Sequence, residues 1–408
     1  MFDIKEIRAQ FPALDDATIF FDNPAGTQVP RTVIAAVADA MIRGASNIGG
    51  KFPHLHHADV IWERAHAAMA MFLAARSPRE IILGQSMTML TFHISRSLAR
   101  MWQAGDDIVV TRMDHEGNVA PWVHAAQDRG VNVRWLRFNT ESWQIEPDDL
   151  RAILTPRTKL LALNCASNLT GSVNPIRTLT SIAREAGALV YLDAVQYAPH
   201  VIVDVEALGC DFLCCSSYKL FGPHLGVLWG KEALLRELYP YAVRCAPVEP
   251  PGRHELGTPQ TELFAGLAAT VDYWCWLGGR SGDAPATRAQ LAAAYERVDA
   301  YERHLTHRLI DELLQIPGMT LFGRKDSLGT APRVPTVSVT HQRRRSSELA
   351  AGLAARRINV WSGHNYAFEV ARFLGLDLEE GVLRIGLAHY NSAAEVERFV
   401  TALKALTK

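Results

Sequence analysis

Short apolar runs alternate with amphipathic stretches through residues 79–230, and this alternation restricts the fold more than any other feature of the sequence. The apolar runs have the length of strands, and the stretches between them have the length of helices. Such a chain forms a mainly parallel sheet whose crossover helices cover both faces, so we predict an α/β fold. The clearest apolar runs are 81–83, 107–110, 131–135, 160–163, 190–192 and 212–215.

A different pattern begins after the glycine-rich residues 278–283. The stretch 286–314 is rich in Ala, Leu, Glu and Arg, which predicts one long helix that leads into a smaller α+β domain. The strand-like and helical runs expected there are 336–339, 348–357, 382–385 and 394–406. We therefore expect three parts, which are an N-terminal segment (1–16) packed on the small domain, a large domain (17–283) and the small domain (284–408).

Composition and charge limit the classes of partner. The chain has 408 residues, of which 48% are hydrophobic, and this is enough for a large core. A formal net charge of -1 provides no attraction for nucleic acid or an anionic membrane, so we expect a small-molecule substrate. The first residues lack the pattern of a signal peptide, and no apolar run is long enough to span a membrane, so we expect a cytoplasmic protein.

The six cysteines do not predict a metal site or a disulfide framework. None of them forms a Cys-x-x-Cys pair, and Cys165, Cys214 and Cys215 lie in apolar runs. We expect these three to be buried, reduced thiols, and we predict no metal.

Two charged residues follow apolar runs that we expect to be neighbouring strands. Asp193 closes the run 190–192, and Lys219 follows the run 212–215 beside Ser216. A lysine alone at such a position is usually a surface residue. The pair is more specific, because a lysine can form a Schiff base with a carbonyl cofactor while an aspartate keeps a pyridinium nitrogen protonated. Together they indicate pyridoxal phosphate.

Two further polar residues, His115 and Asn168, also come just after strand-like runs. The carboxyl ends of parallel strands meet at one edge of a sheet, where ligands bind. We therefore expect these residues to share a crevice with Asp193 and Lys219.

With these motifs in this order, the chain resembles the class V aminotransferase group of fold-type I pyridoxal-phosphate enzymes, and within it the cysteine desulfurase-like proteins. The resemblance extends from residues 21–27 to residues 383–391. It implies a large domain with a mainly parallel, seven-stranded type of sheet between helices, a smaller α+β domain, and pyridoxal 5'-phosphate as the cofactor.

The resemblance also implies the contacts of the cofactor. His115 would stack on the pyridine ring and act in catalysis with Lys219 and Asp193, and its ordinary pKa near neutrality suggests a proton relay. A helix that begins after Ser86 would bind the phosphate through its amide groups. The residues expected to contact the cofactor are Gly84, Gln85, Ser86, His115, Asn168, Asp193, Gln196, Ser216, Tyr218 and Lys219.

Residues 257–259 resemble a Gly-Thr-Pro loop that crosses a dimer interface in this family. The resemblance implies a homodimer with composite active sites, in which Thr258 of one subunit reaches the phosphate of the other. The same residues could instead form an ordinary tight turn.

Substrate recognition is expected from the small domain and from the N-terminal motif. Arg384 matches the family arginine that holds a substrate carboxylate through two parallel hydrogen bonds, which selects a small amino acid. The other residues expected near the substrate are Asn23, Ala25, His364 and Tyr366.

The chain departs from the desulfurases at one position. Tyr366 stands where the nucleophilic cysteine is expected, and no cysteine follows Cys275. A phenol cannot carry sulfur as a persulfide, so we expect chemistry at Cα or Cβ of the amino acid, as in an aminotransferase, a lyase or an epimerase. The sequence leaves transamination, elimination and racemisation open. Two alternatives are a cysteine desulfurase or selenocysteine lyase, and a non-catalytic sulfur-trafficking scaffold that binds the cofactor.

Overall fold

The computed structural model describes residues 3–43, 47–282, 284–325 and 333–408. Its strands are β1 (Ile19–Phe20), β2 (Ile81–Gly84), β3 (Asp107–Thr111), β4 (Asn132–Leu136), β5 (Thr158–Asn164), β6 (Leu189–Asp193), β7 (Phe212–Ser216), β8 (Gly226–Gly230), β9 (Met319–Phe322), β10 (Thr336–His341), β11 (Ile358–Asn359), β12 (Trp361–Gly363) and β13 (Val382–Gly386).

The helices are α1 (Ile4–Arg8), α2 (Arg31–Ile42), α3 (Pro53–Leu73), α4 (Met87–Ala99), α5 (Ala120–Arg129), α6 (Pro147–Ile153), α7 (Ile176–Glu185), α8 (Val205–Leu208), α9 (Glu232–Glu237), α10 (Thr261–Leu277), α11 (Arg288–Leu314), α12 (Ser346–Ala354), α13 (Phe368–Phe373) and α14 (Ala393–Thr407). Short 3-10 turns occupy Pro12–Asp15, Pro78–Glu80, Glu116–Asn118 and Ser217–Lys219.

The large sheet has seven strands in the order β2-β8-β7-β6-β5-β3-β4. Strands β7, β6, β5, β3 and β4 are parallel, and β8 runs antiparallel between β2 and β7. Buried side chains form a hydrophobic core on each face of this sheet. The predicted α/β class with a mainly parallel sheet is confirmed. Because the strands are parallel, the carboxyl ends of β5, β6 and β7 lie at the same edge.

A close backbone contact fixes the start of α4 against the large sheet. A Cβ atom on Gly226 would lie 2.2 Å from the carbonyl carbon of Ser86 and 2.5 Å from the amide nitrogen of Met87. Only glycine leaves room for this approach. The first turn of α4 is thereby held beside the end of β7, where β8 pairs with it.

The second sheet is antiparallel, has four strands in the order β12-β13-β10-β9, and packs with α11, α12 and α14 around a core of its own. The predicted long helix is confirmed as α11, which starts at a capping box formed by Thr287 and Gln290. Strand β1 pairs with β11, so the N-terminal part of the chain joins this second unit. Residue 283 lies outside the described residues, and the predicted domain bounds stay a prediction.

Among the described residues, no helix has the length and apolar character that a membrane span requires.

Candidate active site

A pocket at the carboxyl edge of the large sheet collects most of the residues that the sequence predicts to contact the cofactor. It lies between the ends of β5, β6 and β7 and the first turn of α4. The predicted residues that line it are Ser86, His115, Asn168, Asp193, Gln196, Ser216, Tyr218 and Lys219.

Lys219 ends the 3-10 turn that follows β7, and its side chain is buried. Burial lowers the pKa of its ammonium group to about 8, and the charge of Arg384 acts in the same direction while Asp193 opposes it. A substantial fraction of the amine is therefore neutral near pH 7.5, as a nucleophile requires. The turn is held from outside by Thr27, whose backbone N–H and hydroxyl donate to the Tyr218 carbonyl at 3.1 and 3.0 Å.

Asp193 is the last residue of β6, and its Oδ1 accepts a hydrogen bond from the Val195 backbone N–H at 2.8 Å. Burial raises the pKa of its carboxyl to about 6, while the Val195 N–H and the charge of Lys219 lower it. The carboxylate is therefore largely ionised at neutral pH inside an apolar sheet edge. Such a group favours a protonated nitrogen placed beside it.

Asn164 also lines the pocket, and the sequence analysis missed it. It is the last residue of β5 and stands opposite Asp193 in the strand pairing. Its amide nitrogen Nδ2 donates to the Met113 carbonyl at 2.7 Å. The signal was present in the sequence, because Asn164 closes an apolar run as Asp193 does.

A second buried carboxyl, that of Asp114, lies behind the pocket. It accepts hydrogen bonds from the Thr111 hydroxyl, from Asn118 Nδ2 at 2.6 Å and from the Asn164 backbone N–H at 3.2 Å. Burial, with a smaller contribution from the like charge of Asp193, raises its pKa to about 8, and these hydrogen bonds oppose the shift. Asp114 fixes the turn that carries His115.

The His115 imidazole is neutral. Its Nδ1 accepts a hydrogen bond from the Gly117 backbone N–H at 2.9 Å, which assigns the ring proton to Nε2. Burial lowers its pKa to about 3, and the positive charges of Lys219 and Arg384 contribute to this. The ring is suited to stacking and to donating one hydrogen bond, and its role in proton transfer stays a prediction.

The first turn of α4 forms the third side of the pocket. Ser86 caps the helix by accepting from the Met89 backbone N–H at 3.2 Å, and Met87 and Thr88 line the pocket. The first N–H groups of a helix have no partner within it, so this end suits a phosphate. Gly84, Gln85 and Thr258 line a separate cavity of about 360 Å³.

Arg384 lies on β13, is buried, and contacts the pocket residue Asn168. Its Nη1 donates to the Asn168 carbonyl at 3.0 Å, and its Nε has no partner among the described residues. Burial lowers the pKa of its guanidinium to about 10, so the group keeps its charge at neutral pH. A buried cation with an unused donor is suited to bind a carboxylate.

A loop after β12 forms the rim of the pocket. The Asn365 carbonyl accepts from Asn168 Nδ2 at 2.8 Å, and the Tyr366 carbonyl accepts from the Glu116 backbone N–H at 2.7 Å. The Tyr366 ring stacks on that of His115, with 5.5 Å between centroids. His364 accepts from the Tyr366 backbone N–H through Nδ1 at 3.1 Å.

The N-terminal motif lies on the other side of Tyr218. The Asn23 amide donates to the carbonyls of Phe20 and Gly386 and to Asn391 Oδ1, at 2.9 to 3.0 Å. These bonds use both of its N–H groups to join the N-terminal segment to the second sheet. Ala25 lies in the turn that follows, and the predicted contacts of both residues with substrate stay predictions.

A comparison with known protein families agrees with the geometry of this pocket. Residues 19–399 match the class-V aminotransferase family. The chain belongs to this family. Its members include enzymes that use pyridoxal phosphate, and the present chain is a pyridoxal-phosphate-dependent enzyme of this kind.

Several relatives cover nearly the whole chain. An aminotransferase-like protein of Gibberella zeae is 31% identical over 415 residues, which cover 99% of this chain and 98% of that protein. A cysteine desulfurase of Serratia proteamaculans is 30% identical over 433 residues, which cover 100% of this chain and 99% of that protein. Among solved structures, a cysteine desulfurase from Escherichia coli has a TM-score of 0.86 at 27% identity, covering 100% of this chain and 98% of the other.

The residues of the pocket fit the cofactor. Asn168 Oδ1 and Gln196 Oε1 are buried acceptors without a hydrogen-bond partner among the described residues, so the pocket has polar groups left for a ligand. The pocket also contains the three groups that pyridoxal phosphate needs, which are an amine on Lys219, a carboxylate on Asp193 and a helix N-terminus after Ser86.

Proposed function

We propose that the chain acts at Cα or Cβ of a small amino acid by elimination, transamination or racemisation, without transferring substrate sulfur to a protein thiol. The observation that carries the proposal is the pairing of two buried groups in one pocket, the Lys219 amine with its lowered pKa and the Asp193 carboxylate. When bound there, the cofactor supplies an electron sink for the bonds at Cα.

The chain's own residues have separate tasks in this proposal. Arg384 binds the substrate carboxylate and thereby orients Cα toward Lys219. The Lys219 amine takes and returns the Cα proton, because it is the buried amine of this pocket. Asp193 holds a proton on the ring nitrogen, and the His115 ring covers one face of the pocket.

The cysteines argue against desulfuration. Five of them, Cys165, Cys210, Cys214, Cys215 and Cys275, are buried, and burial raises the pKa of each thiol. A buried thiol of raised pKa is a poor nucleophile. The loop after β12 carries the phenol of Tyr366, whose ring stacks on His115. The exposed Cys245 belongs to the segment after α9.

Cysteine desulfuration is the second candidate, because relatives that cover the whole chain carry that name. It would need one of the six thiols to accept sulfur. Cys245 is the first to examine, since its side chain is exposed.

The products formed from L-cysteine separate the two candidates. With the purified holoenzyme and a reductant, we expect any sulfide to appear with pyruvate and ammonia rather than with alanine. The Tyr366→Cys variant should begin to form alanine, and Tyr366→Ser is the matched control without a thiol. Stoichiometric alanine from the wild-type protein, with a persulfide trapped on one of its cysteines, would restore desulfuration.

We also propose a cytoplasmic homodimer with composite active sites. Met89 and Leu256 are exposed apolar side chains that line the same cavity as Thr258, which supports an interface at this place. Analytical ultracentrifugation should give the mass of a dimer. Mixing Lys219→Ala and Thr258→Ala subunits should restore part of the activity if Thr258 serves the neighbouring site.

A further inference from the structure

Tyr366 places a phenol at the mouth of the cofactor pocket. Its ring stacks on His115, at an angle of 28° between the ring planes, while 68% of the residue remains exposed. Tyr366 is therefore an exposed residue of the rim, beside a ring that lines the pocket.

The backbone of this loop is held in an unusual conformation. Asn365 and Tyr366 have φ angles of +54° and +57°, in the left-handed region that side chains other than glycine rarely adopt. The conformation persists because both carbonyls accept hydrogen bonds from outside the loop. The Asn365 carbonyl accepts from Asn168 Nδ2, and the Tyr366 carbonyl accepts from the Glu116 backbone N–H. Strain that neighbouring contacts maintain is often found at functional sites.

Elimination needs an acid for a basic group that leaves Cβ, and the other phenol of the pocket, that of Tyr218, has its pKa raised by burial, which weakens it as an acid. A hydroxide leaves Cβ readily only if it receives a proton as the bond breaks, whereas hydrosulfide is a much weaker base and gains less from that proton. Lys219 receives the Cα proton, Asp193 serves the ring nitrogen, and the neutral imidazole of His115 has a pKa near 3 and no spare acidic proton. Tyr366 offers a neutral O–H donor at the rim.

We infer that Tyr366 is the catalytic acid that protonates the group leaving Cβ. This inference rests on the proposed function and selects elimination within it. The Cα–H bond breaks and its proton goes to Lys219, while the Cβ–X bond breaks and its electron pair leaves with X. The Tyr366 hydroxyl proton goes to X, and the phenolate regains, through water, the proton held by Lys219. Hydrolysis of the product gives pyruvate and ammonia, with no external oxidant or reductant.

The leaving group provides the test. β-Chloro-L-alanine releases chloride, which needs no proton, L-serine releases hydroxide, which needs one, and the leaving group of L-cysteine lies between the two. We expect Tyr366→Phe, which keeps the stacked ring, to lower kcat for L-serine about 30-fold or more, within the usual range for general acid catalysis, and to lower kcat for L-cysteine by a smaller factor. The initial rate of chloride release should change less than about threefold. Tyr241→Phe, at an exposed tyrosine outside the pocket, is the matched control.

A binding measurement gives a second readout that does not depend on turnover. In the Lys219→Ala background, calorimetry should show that adding Tyr366→Phe weakens L-serine binding about three- to tenfold, the value of one hydrogen bond. The affinity for β-chloro-L-alanine should stay the same.

The outcomes separate the inference from the proposed function. Equal losses of rate for chloride and for hydroxide as leaving groups would overturn the role of Tyr366. Transamination or racemisation by the wild-type protein, with no elimination from any of the three substrates, would overturn it too and leave the proposed function intact. A wild-type holoenzyme that turns over no amino acid would overturn both.

Discussion

The floor of the pocket and its rim are built differently. On the floor, Lys219 and Asp193 follow parallel strands, are 6% and 4% exposed, and have pKa values that burial has shifted. On the rim, Tyr366 lies in a loop and is 68% exposed. In the proposed function, the floor holds the groups that every amino acid substrate would use, whereas the rim would contact the parts in which substrates differ. Substitutions on the floor should therefore remove activity, and those on the rim should change which reaction occurs.

Lys219→Ala is the change with the largest expected effect on the floor. The variant should lose turnover completely and should lack the visible absorbance of the covalently attached cofactor, because no second lysine lines the pocket in the described part of the chain. Lys159→Ala, at an exposed lysine outside the pocket, is the control. Turnover of Lys219→Ala at near the wild-type rate would show that the floor is not the reaction centre.

Asp193→Asn should keep the shape of the floor and remove its charge. The Asn oxygen can still accept the hydrogen bond from Val195, so the cofactor content should remain near that of the wild type. The rate should fall by about 100-fold or more, since a neutral amide cannot hold a proton on the ring nitrogen. Single-turnover rates together with cofactor absorbance measure both effects, and an unchanged rate would assign the ring nitrogen to another partner.

Arg384→Lys tests a residue between floor and rim. Arg384 is buried, and its partner Asn168 also donates a hydrogen bond to the rim loop. Lysine keeps the charge and loses the two-pronged hydrogen bond, so KM for amino acids should rise about 10- to 100-fold. Cofactor content should not change. An unaltered KM would place carboxylate recognition in another part of the rim.

The floor could be predicted from the sequence because the carboxyl ends of parallel strands meet at one edge of the sheet, so residues that end such strands lie close together. An apolar run that ends at Asp193, or just before Lys219, marks where a strand reaches that edge. Asn164 gives the same signal but resembles an ordinary turn residue. Strand β8 was missed as an antiparallel neighbour, because the pattern does not show the direction in which a strand inserts between β2 and β7.

The rim could be identified only through the resemblance. Asparagine adopts positive φ angles more often than most residues, but nothing local in the sequence predicts a positive φ at Tyr366. The loop is also held by bonds to residues about 200 to 250 positions away, which the sequence does not reveal. The separate position of Gly84 and Gln85, which line another cavity, was also not predictable. Strand β2 ends at Gly84, and the sequence does not show which of the two cavities this strand end lines.

The smallest effects concern stability, and they compare floor and rim directly. Gly226→Ala would force a Cβ against the Ser86 backbone, so it should lower the free energy of unfolding by about 1–3 kcal/mol. Tyr366→Phe should change it by less than about 0.5 kcal/mol, because the phenol is exposed and the stacked ring is retained. Urea unfolding of both variants, with the cofactor bound, measures the difference. If Tyr366→Phe were as destabilising as Gly226→Ala, the rim loop would be part of the structural core, and the conservative substitution could not isolate the chemistry of its hydroxyl.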